Sequence, residues 1–215
     1  MLILEQEYIL LIMNCKRYKE KAIKQKNTWL KNIPSKILYF HVIGDPLLDD
    51  DEGFCFDHNE KILYVQTEDD YISLPKKVFA AYKAISETYQ FKYIFKTDDD
   101  QNLINDNFLN TLMNILDKKV PRVHYGGNLV DVEVPYLSEY YKIHPELPKD
   151  MIINPTKYCS GRFYFLSWDA IFSLSSKKVS IEKEYMEDYA IGLNLPSFLK
   201  ETTMNLTTNK YFIDF

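Results

Sequence analysis

The sequence is short of several features that would place it in large classes of protein. Cysteine is scarce: Cys15, Cys55 and Cys159 are odd in number and far apart. This excludes a disulfide framework and shows no metal-ligand spacing. Long apolar runs are missing too. Ile9 to Met13 is apolar but far too short to span a bilayer, and Glu5 and Glu7 precede it. The expectation is therefore no signal peptide and no membrane span, and a soluble protein of the cytoplasm or another reducing intracellular compartment. There is no internal repeat, no Gly/Ser linker and no low-complexity tract, and glycines number only six. Positive charge is short as well. The net charge of −5 argues against a nucleic-acid platform. An anionic substrate stays admissible if a local basic patch or a metal supplies the attraction.

What is present suits one well-cored domain. The 215 residues are 46% hydrophobic and 27% charged, ordinary values for a globular chain. The most informative stretch is Tyr93-Ile94-Phe95-Lys96-Thr97-Asp98-Asp99-Asp100, where an aromatic run stops at three carboxylates. It reads as a buried strand, residues 91–95, with an acidic triplet at its C-terminal end. At a separation of about 6 Å and an effective dielectric near 20, each pair of carboxylates repels by roughly 2–3 kcal/mol. A cation relieves that repulsion. Hard oxygen ligands aimed by one strand suit Mg²⁺ or Mn²⁺ carrying a phosphorylated substrate. The alternative is a solvated acidic turn that caps the helix starting near Asp106.

Periodicity places the other elements. Residues 8–14, 36–42 and 61–66 read as buried strands, and residues 47–60 as an acidic loop. Helices are expected over residues 17–31, from Leu74 with a stripe of Val78, Phe79, Tyr82, Ile85 and Tyr89, and over 106–116. Lys26 falls on the apolar face of the first helix, either snorkelling to solvent or pointing at a ligand phosphate. Strands alternating with amphipathic helices indicate an α/β fold with a mostly parallel sheet. Such sheets bind ligands at the carboxyl ends of their strands, where the triplet lies. Beyond Val120 the pattern weakens. Residues 123–125 and 130–134 read as strands joined by a Gly126-Gly127 turn, and residues 135–155 as a long aromatic loop over a cleft. Residues 158–167 lead into a helix at 168–174. The pair Glu187-Asp188 heads another helix, where a capping role is the plainer account.

As an ordered set, these segments resemble the β-1,3-galactosyltransferase and Fringe family of glycosyltransferases, which includes the core-1 synthases. Lys21-Ala22, Lys26 and Thr28-Trp29 resemble its basic "K/R…K/R-x-T-W" helix. Asp69-Asp70-Tyr71 with Leu74 and Lys76 is similar to its "D-x-Y-x-N-L-x-x-K" segment. Phe95 to Asp100 matches its "K-x-D-D-D" metal motif. Pro155 with residues 158–167 resembles "P-x-Y-x-x-G-x-x-Y-x-L-S", and Glu187-Asp188 to Gly192 resembles "E-D-V-x-x-G". The matches run from about Leu10 to Leu193.

The resemblance implies a GT-A-type α/β fold with a mostly parallel central sheet flanked by helices and a smaller acceptor-side part. Residues 1–118 would bind the nucleotide sugar, and residues 119–215 would hold the acceptor and the base. It implies inverting, Mn²⁺- or Mg²⁺-dependent transfer from a nucleotide sugar, usually a UDP-sugar, to a glycan or other hydroxyl acceptor. Asp100 and Asp98 are then the metal ligands, with Asp98 or Asp99 alternatively facing the ribose or reaching the metal through water. Lys26, Asp70 and Lys96 join the donor-binding set, and Gly161 lets backbone approach the sugar. Arg162 stands where the family favours a small residue, and either narrows the site or meets an anionic group. Asp188 is the expected base, with Glu187 second, and the aromatics of residues 136–141 offer a stacking surface for an acceptor sugar. One departure is plain: the family's late histidine ligand is missing, since the last histidine is His144. Water or Asp214 would have to substitute. Two other readings remain open at the level of sequence: an inactive GT-A-like domain that binds glycan or nucleotide sugar, and a metal-dependent nucleotidyl- or phosphotransferase.

Overall fold

A computed structural model describes residues 3–49 and 51–215. Asp50, within the loop expected at residues 47–60, lies outside the described residues. The described residues build an eight-stranded sheet with helices on both faces. The elements that matter here are β1 (Tyr8–Met13), α1 (Lys19–Asn27), β2 (Ile37–Gly44), β3 (Phe54–Asp57), β4 (Ile62–Val65), α2 (Leu74–Thr88), β5 (Tyr93–Asp98), β6 (Gln101–Leu103) and α3 (Phe108–Lys118). They are followed by β7 (Tyr125–Val132), β8 (Tyr136–Leu137), β9 (Ile152–Ile153), β10 (Thr156–Ser167), α4 (Trp168–Ser175), α5 (Lys178–Ile181), α6 (Glu187–Asn194), β11 (Met204–Asn205) and β12 (Phe212–Asp214).

The sheet order is β11-β7-β10-β5-β1-β2-β4-β3. Its centre, β5-β1-β2-β4, is parallel, with Met13 of β1 level with Asp98 of β5 and Val42 of β2. These strands are continuous apolar runs because both faces are covered, as expected for parallel strands between helices. Beyond β5 the sense changes. Strand β10 inserts antiparallel to both β5 and β7. The acidic end of β5 therefore lies where the parallel half gives way to the antiparallel half. Tyr82, Ile85 and Ala190 on α2 and α6 pack on one face, and Trp29, Leu109 and Leu112 on the other.

Several elements differ from the sequence expectations. Residues 47–60 contain β3, paired antiparallel with β4. Gly126-Gly127 is no turn but lies inside β7: a Cβ on Gly126 would drive into the Phe165 ring, and one on Gly127 would sit 2.7 Å from Cys159 Cβ. Glycine is there for close approach between strands, not for reversal. The loop at residues 135–155 carries the short hairpin β8–β9. The first helix is broken, α1 ending at Asn27 and a 3₁₀ turn continuing over Trp29–Asn32.

One glycine fixes where α6 lies. A Cβ on Gly192 would come 2.7 Å from Tyr158 Cα and 2.9 Å from the Lys157 carbonyl oxygen of β10. Backbone cannot yield there, so Gly192→Ala is expected to destabilise the fold by about 1–3 kcal/mol. Thermal unfolding checks it, and an unchanged melting temperature would contradict the close packing of α6 on β10.

Candidate functional site

The site forms at the carboxyl end of β5, where α1, α6 and the last strand converge. Polar groups of α1 and its 3₁₀ extension hold the triplet's backbone and outer carboxylate. Lys21 Nζ donates to Asp99 Oδ1 at 3.0 Å. Gln25 Nε2 donates to the carbonyls of Asp98 (3.0 Å) and Gln101 (2.8 Å), and Trp29 Nε1 donates to the same Gln101 carbonyl at 3.1 Å. These residues are spaced four apart, one face of a helix. Burial pushes the Asp99 carboxyl up to about 6 against the pull of Lys21.

Lys26, expected either to snorkel to solvent or to point at a ligand phosphate, is held at Glu60. Its ammonium donates to the Glu60 carbonyl at 2.5 Å and lies 3.6 Å from the Glu60 carboxylate, so Lys21 and Gln25 are the α1 side chains that meet the triplet. The sequence signal for Gln25 was its spacing from Lys21 and Trp29. Asp70 takes a structural place: its Oδ1 accepts from Ser73 N at the start of α2. Its neighbour Asp69 clips three elements together, accepting from Gly44 N (2.8 Å), Lys16 N (2.6 Å) and the buried Lys77 ammonium (2.6 Å). Lys77 also donates to the Asn14 carbonyl, at the end of β1. The lysine of the α2 segment that enters the interior is thus Lys77, and Lys76 is exposed.

Lys96 is a lysine in a buried strand, 1% exposed. Its ammonium donates to Asp98 Oδ1 at 2.7 Å and to the Gly161 carbonyl at 2.9 Å, and it makes an ion pair with Glu187 Oε1. The other oxygen of Glu187 accepts from Tyr164 at 2.9 Å, and Tyr164 shares a hydrogen bond with Tyr82 at 2.8 Å. Glu187, only 4% exposed, has its oxygens engaged inside the protein. Asp188 is the more accessible of the pair. Its Oδ2 accepts from Gly161 N at 2.8 Å and its Oδ1 from Tyr189 N at 2.7 Å. Both acids occupy the first turn of α6, where the helix dipole favours negative charge.

The charges do not balance. One buried ammonium serves Asp98 and Glu187, and Asp188 lies within its field. Burial works to lower the Lys96 pKa, but Asp98 and Glu187 hold it above the ordinary lysine value. Burial raises all three carboxyls against the pull of Lys96. Removing one partner of a buried pair of this kind typically costs 3–5 kcal/mol. The excess of negative charge is what an incoming cation would offset.

Asp100 and the C-terminal strand form the outer edge. The β12 strand pairs with β6, and Phe215 N donates to the Asp100 carbonyl at 2.9 Å. Gln101 Nε2 donates to both Asp100 Oδ1 and Asp214 Oδ1 at 2.8 Å, which brings Asp214 beside the triplet. Arg162, expected to narrow the site or to meet an anionic group, meets one within the protein: it donates to the Phe212 carbonyl (3.0 Å) and to Asp214 Oδ1 (2.9 Å). Gly161 lies between the two acidic groups: a Cβ there would be 3.2 Å from Glu187 Oε1, 3.3 Å from Lys96 Nζ and 3.5 Å from Asp188 Oδ2.

Aromatic rings gather within the field of Asp188. Tyr71 stacks on His144 with ring centroids 3.9 Å apart. Burial first, then the charge of Asp188, raises the hydroxyls of Tyr71, Tyr140 and Tyr158. Tyr136 and Tyr140 are exposed. A separate depression of about 420 Å³ on α3, lined by Thr111, Asn114, Ile115, Lys118 and Lys119, contains none of these groups.

The oxygens at the end of β5 are hard donors of the kind Mg²⁺ or Mn²⁺ prefers. Among the described residues, however, no group of three or more His, Cys, Asp or Glu side chains is disposed to hold a metal. Asp100 and Asp98, the latter with Oδ1 already accepting from Lys96, would supply part of such a set, and a ligand's own oxygens would have to complete it.

A family model described as galactosyltransferase matches residues 21–198. No match is found among curated protein sequences. Among solved structures, similarity is found to a glycosyltransferase involved in glycosylation of the major capsid of PBCV-1, with 11% identity and a TM-score of 0.42 over 81% of this chain and 65% of that one. Similarity is also found to the galactosyltransferase LgtC in complex with donor and acceptor sugar analogs (14%, 0.48, 94% and 73%). A third is the glycosyltransferase GlyE of Streptococcus pneumoniae (10%, 0.47, 96% and 46%). These likenesses are remote, and this chain is shorter than each solved protein. Among the described residues no helix is long and apolar enough to cross a membrane.

Proposed function

The chain belongs to the galactosyltransferase family, and from that membership we propose an inverting, divalent-metal-dependent transfer of a sugar from a nucleotide sugar to a hydroxyl acceptor. The donor is a UDP-sugar and the acceptor a glycan or related hydroxyl compound. The fold is of the GT-A type: a central α/β sheet, parallel on the side that carries the acidic triplet and antiparallel where β10 enters.

One observation carries the reading. Two acidic groups far apart in sequence, Asp98 to Asp100 and Glu187-Asp188, meet across Lys96 and Gly161. Sugar transfer with inversion needs two poles: one to hold the leaving diphosphate, and one on the opposite face of the sugar to take the acceptor's proton. Asp100 and Asp98 would hold Mn²⁺ or Mg²⁺ at the first pole. When bound, such an ion neutralises charge gathering on the diphosphate. Lys21 and Gln25 fix the position of the triplet there. At the second pole Asp188 has lone pairs left after two backbone hydrogen bonds, and Tyr71, Tyr140 and Tyr158 lie within its field. Glu187, with its oxygens occupied by Lys96 and Tyr164, supports rather than acts. The exposed rings of Tyr136 and Tyr140 present flat faces on which an acceptor sugar stacks. Because no group of three or more His, Cys, Asp or Glu side chains is disposed to hold a metal among the described residues, metal binding is weak until the donor diphosphate arrives.

The test is a binding and hydrolysis screen with UDP-, GDP- and dTDP-sugars in Mn²⁺, Mg²⁺ or EDTA. Metal-dependent UDP binding with slow sugar release supports the proposal. Binding with no turnover over a broad acceptor set points instead to an inactive binding domain. Release of pyrophosphate from a nucleoside triphosphate points to a nucleotidyltransferase.

A further inference from the structure

Lys96 lies in the middle of the two poles but touches solvent at neither. It is buried in β5, level with Tyr164 of β10. Its three partners belong to three elements: Asp98 at the end of its own strand, the Gly161 carbonyl on β10, and Glu187 at the start of α6. The route to the base runs through one residue. Gly161 accepts from Lys96 through its carbonyl and donates from its own N–H to Asp188 Oδ2 at 2.8 Å. Glu187, held by Lys96 and by Tyr164, fixes the first turn of α6 from which Asp188 projects.

Resting on the functional reading above, we infer that Lys96 is a positioning residue for the transfer step. It sets the distance and angle between the donor-holding aspartates and the Asp188 base, and it contacts neither donor nor acceptor. A lysine that bound the donor's phosphates would keep its ammonium free of protein partners and open to the crevice. This one has both its charge and its hydrogen bonds committed within the protein. A lysine present only for stability would need no link to the peptide that holds the base. Here the Gly161 peptide makes that link. A base displaced by about 1 Å loses about 100-fold in rate while substrate binding persists.

The experiment compares wild type, Lys96→Met, Glu187→Gln and the double variant Lys96→Met/Glu187→Gln. The double variant removes both Lys96 and the deeply buried Glu187. The carboxylate it leaves without the ammonium is Asp98, whose side chain is 32% exposed and keeps access to water, so the loss that would unfold Lys96→Met is avoided. Melting temperature, UDP affinity with Mn²⁺, and kcat and donor KM for sugar release are measured for each. The expected result is a double variant with a near-native melting temperature and UDP affinity within about threefold of wild type. Its kcat is lowered about 100-fold beyond the effect of Glu187→Gln alone, with donor KM unchanged. Recovery of kcat together with melting temperature overturns the assignment and leaves Lys96 a stabilising residue. A loss confined to UDP affinity and KM overturns it in favour of a donor contact. A wild-type protein that neither binds nor cleaves any nucleotide sugar overturns the functional reading itself, a result distinct from both.

Discussion

Asp188→Asn is expected to lower sugar transfer about 1,000-fold while leaving metal-dependent donor binding intact. Asparagine matches aspartate in shape and keeps one oxygen, enough to accept from Gly161 N or from Tyr189 N but not from both, so the fold is kept at the cost of one backbone hydrogen bond. What is lost is the ability to take the acceptor's proton. Donor binding survives because Asp100 and the α1 residues Lys21 and Gln25 lie at the other pole. The pH profile carries the same assignment. Burial raises the Asp188 carboxyl above the ordinary aspartate value, against Lys96 and two backbone N–H groups. A base works deprotonated, so kcat/KM holds above that raised pKa and falls as pH drops through it. The acid limb should therefore lie above the value of a free aspartate, and the Asn variant should lack it. Full transfer by Asp188→Asn would remove Asp188 from the mechanism and return Glu187 to consideration.

Asp100→Ala is expected to act at the other end and on binding. In wild type, UDP affinity should rise when Mn²⁺ replaces EDTA. The Ala variant should lose that gain, with an affinity roughly 10–100-fold below wild type in Mn²⁺ and equal to it in EDTA. Asp100 is half-buried, and among the described residues its side chain accepts from Gln101, so the fold should tolerate the change. Calorimetric titration of UDP into both proteins decides it. An undiminished metal response in Asp100→Ala would place the ion elsewhere, and the Asp214 carboxylate across Gln101 would be the next residue to replace.

Much of this arrangement was legible in the sequence because each element declares itself locally. The apolar runs expected at residues 8–14, 36–42 and 61–66 appear as Tyr8–Met13, Ile37–Gly44 and Ile62–Val65. The stripe of α2 is core as expected, with Val78, Phe79, Tyr82 and Ile85 all buried. The acidic triplet and Glu187-Asp188 could be picked out because carboxylates bordering apolar segments call for an explanation. What stayed hidden depends on partners distant in the chain. Gly126-Gly127 reads as a turn until Phe165 and Cys159 are laid against it. Strand β3 is short and sits in an acidic stretch, and only its pairing with β4 makes it a strand. Lys26 and Lys21 differ by a rotation on α1, and the side that faces the triplet is set by how Trp29 packs, which composition does not encode. The role of Lys96 is the extreme case. A lysine in a buried strand signals a buried partner, but nothing local names one 91 positions away.

The most direct test follows the first-formed sugar by proton NMR as the protein cleaves an α-linked UDP-sugar with Mn²⁺, against an EDTA control. The account predicts slow, metal-dependent release of UDP, with the β-anomer appearing first and then mutarotating. Initial release of the α-anomer would contradict the single-base inverting site built on Asp188, and equal cleavage in EDTA would contradict the metal pole at Asp98 and Asp100.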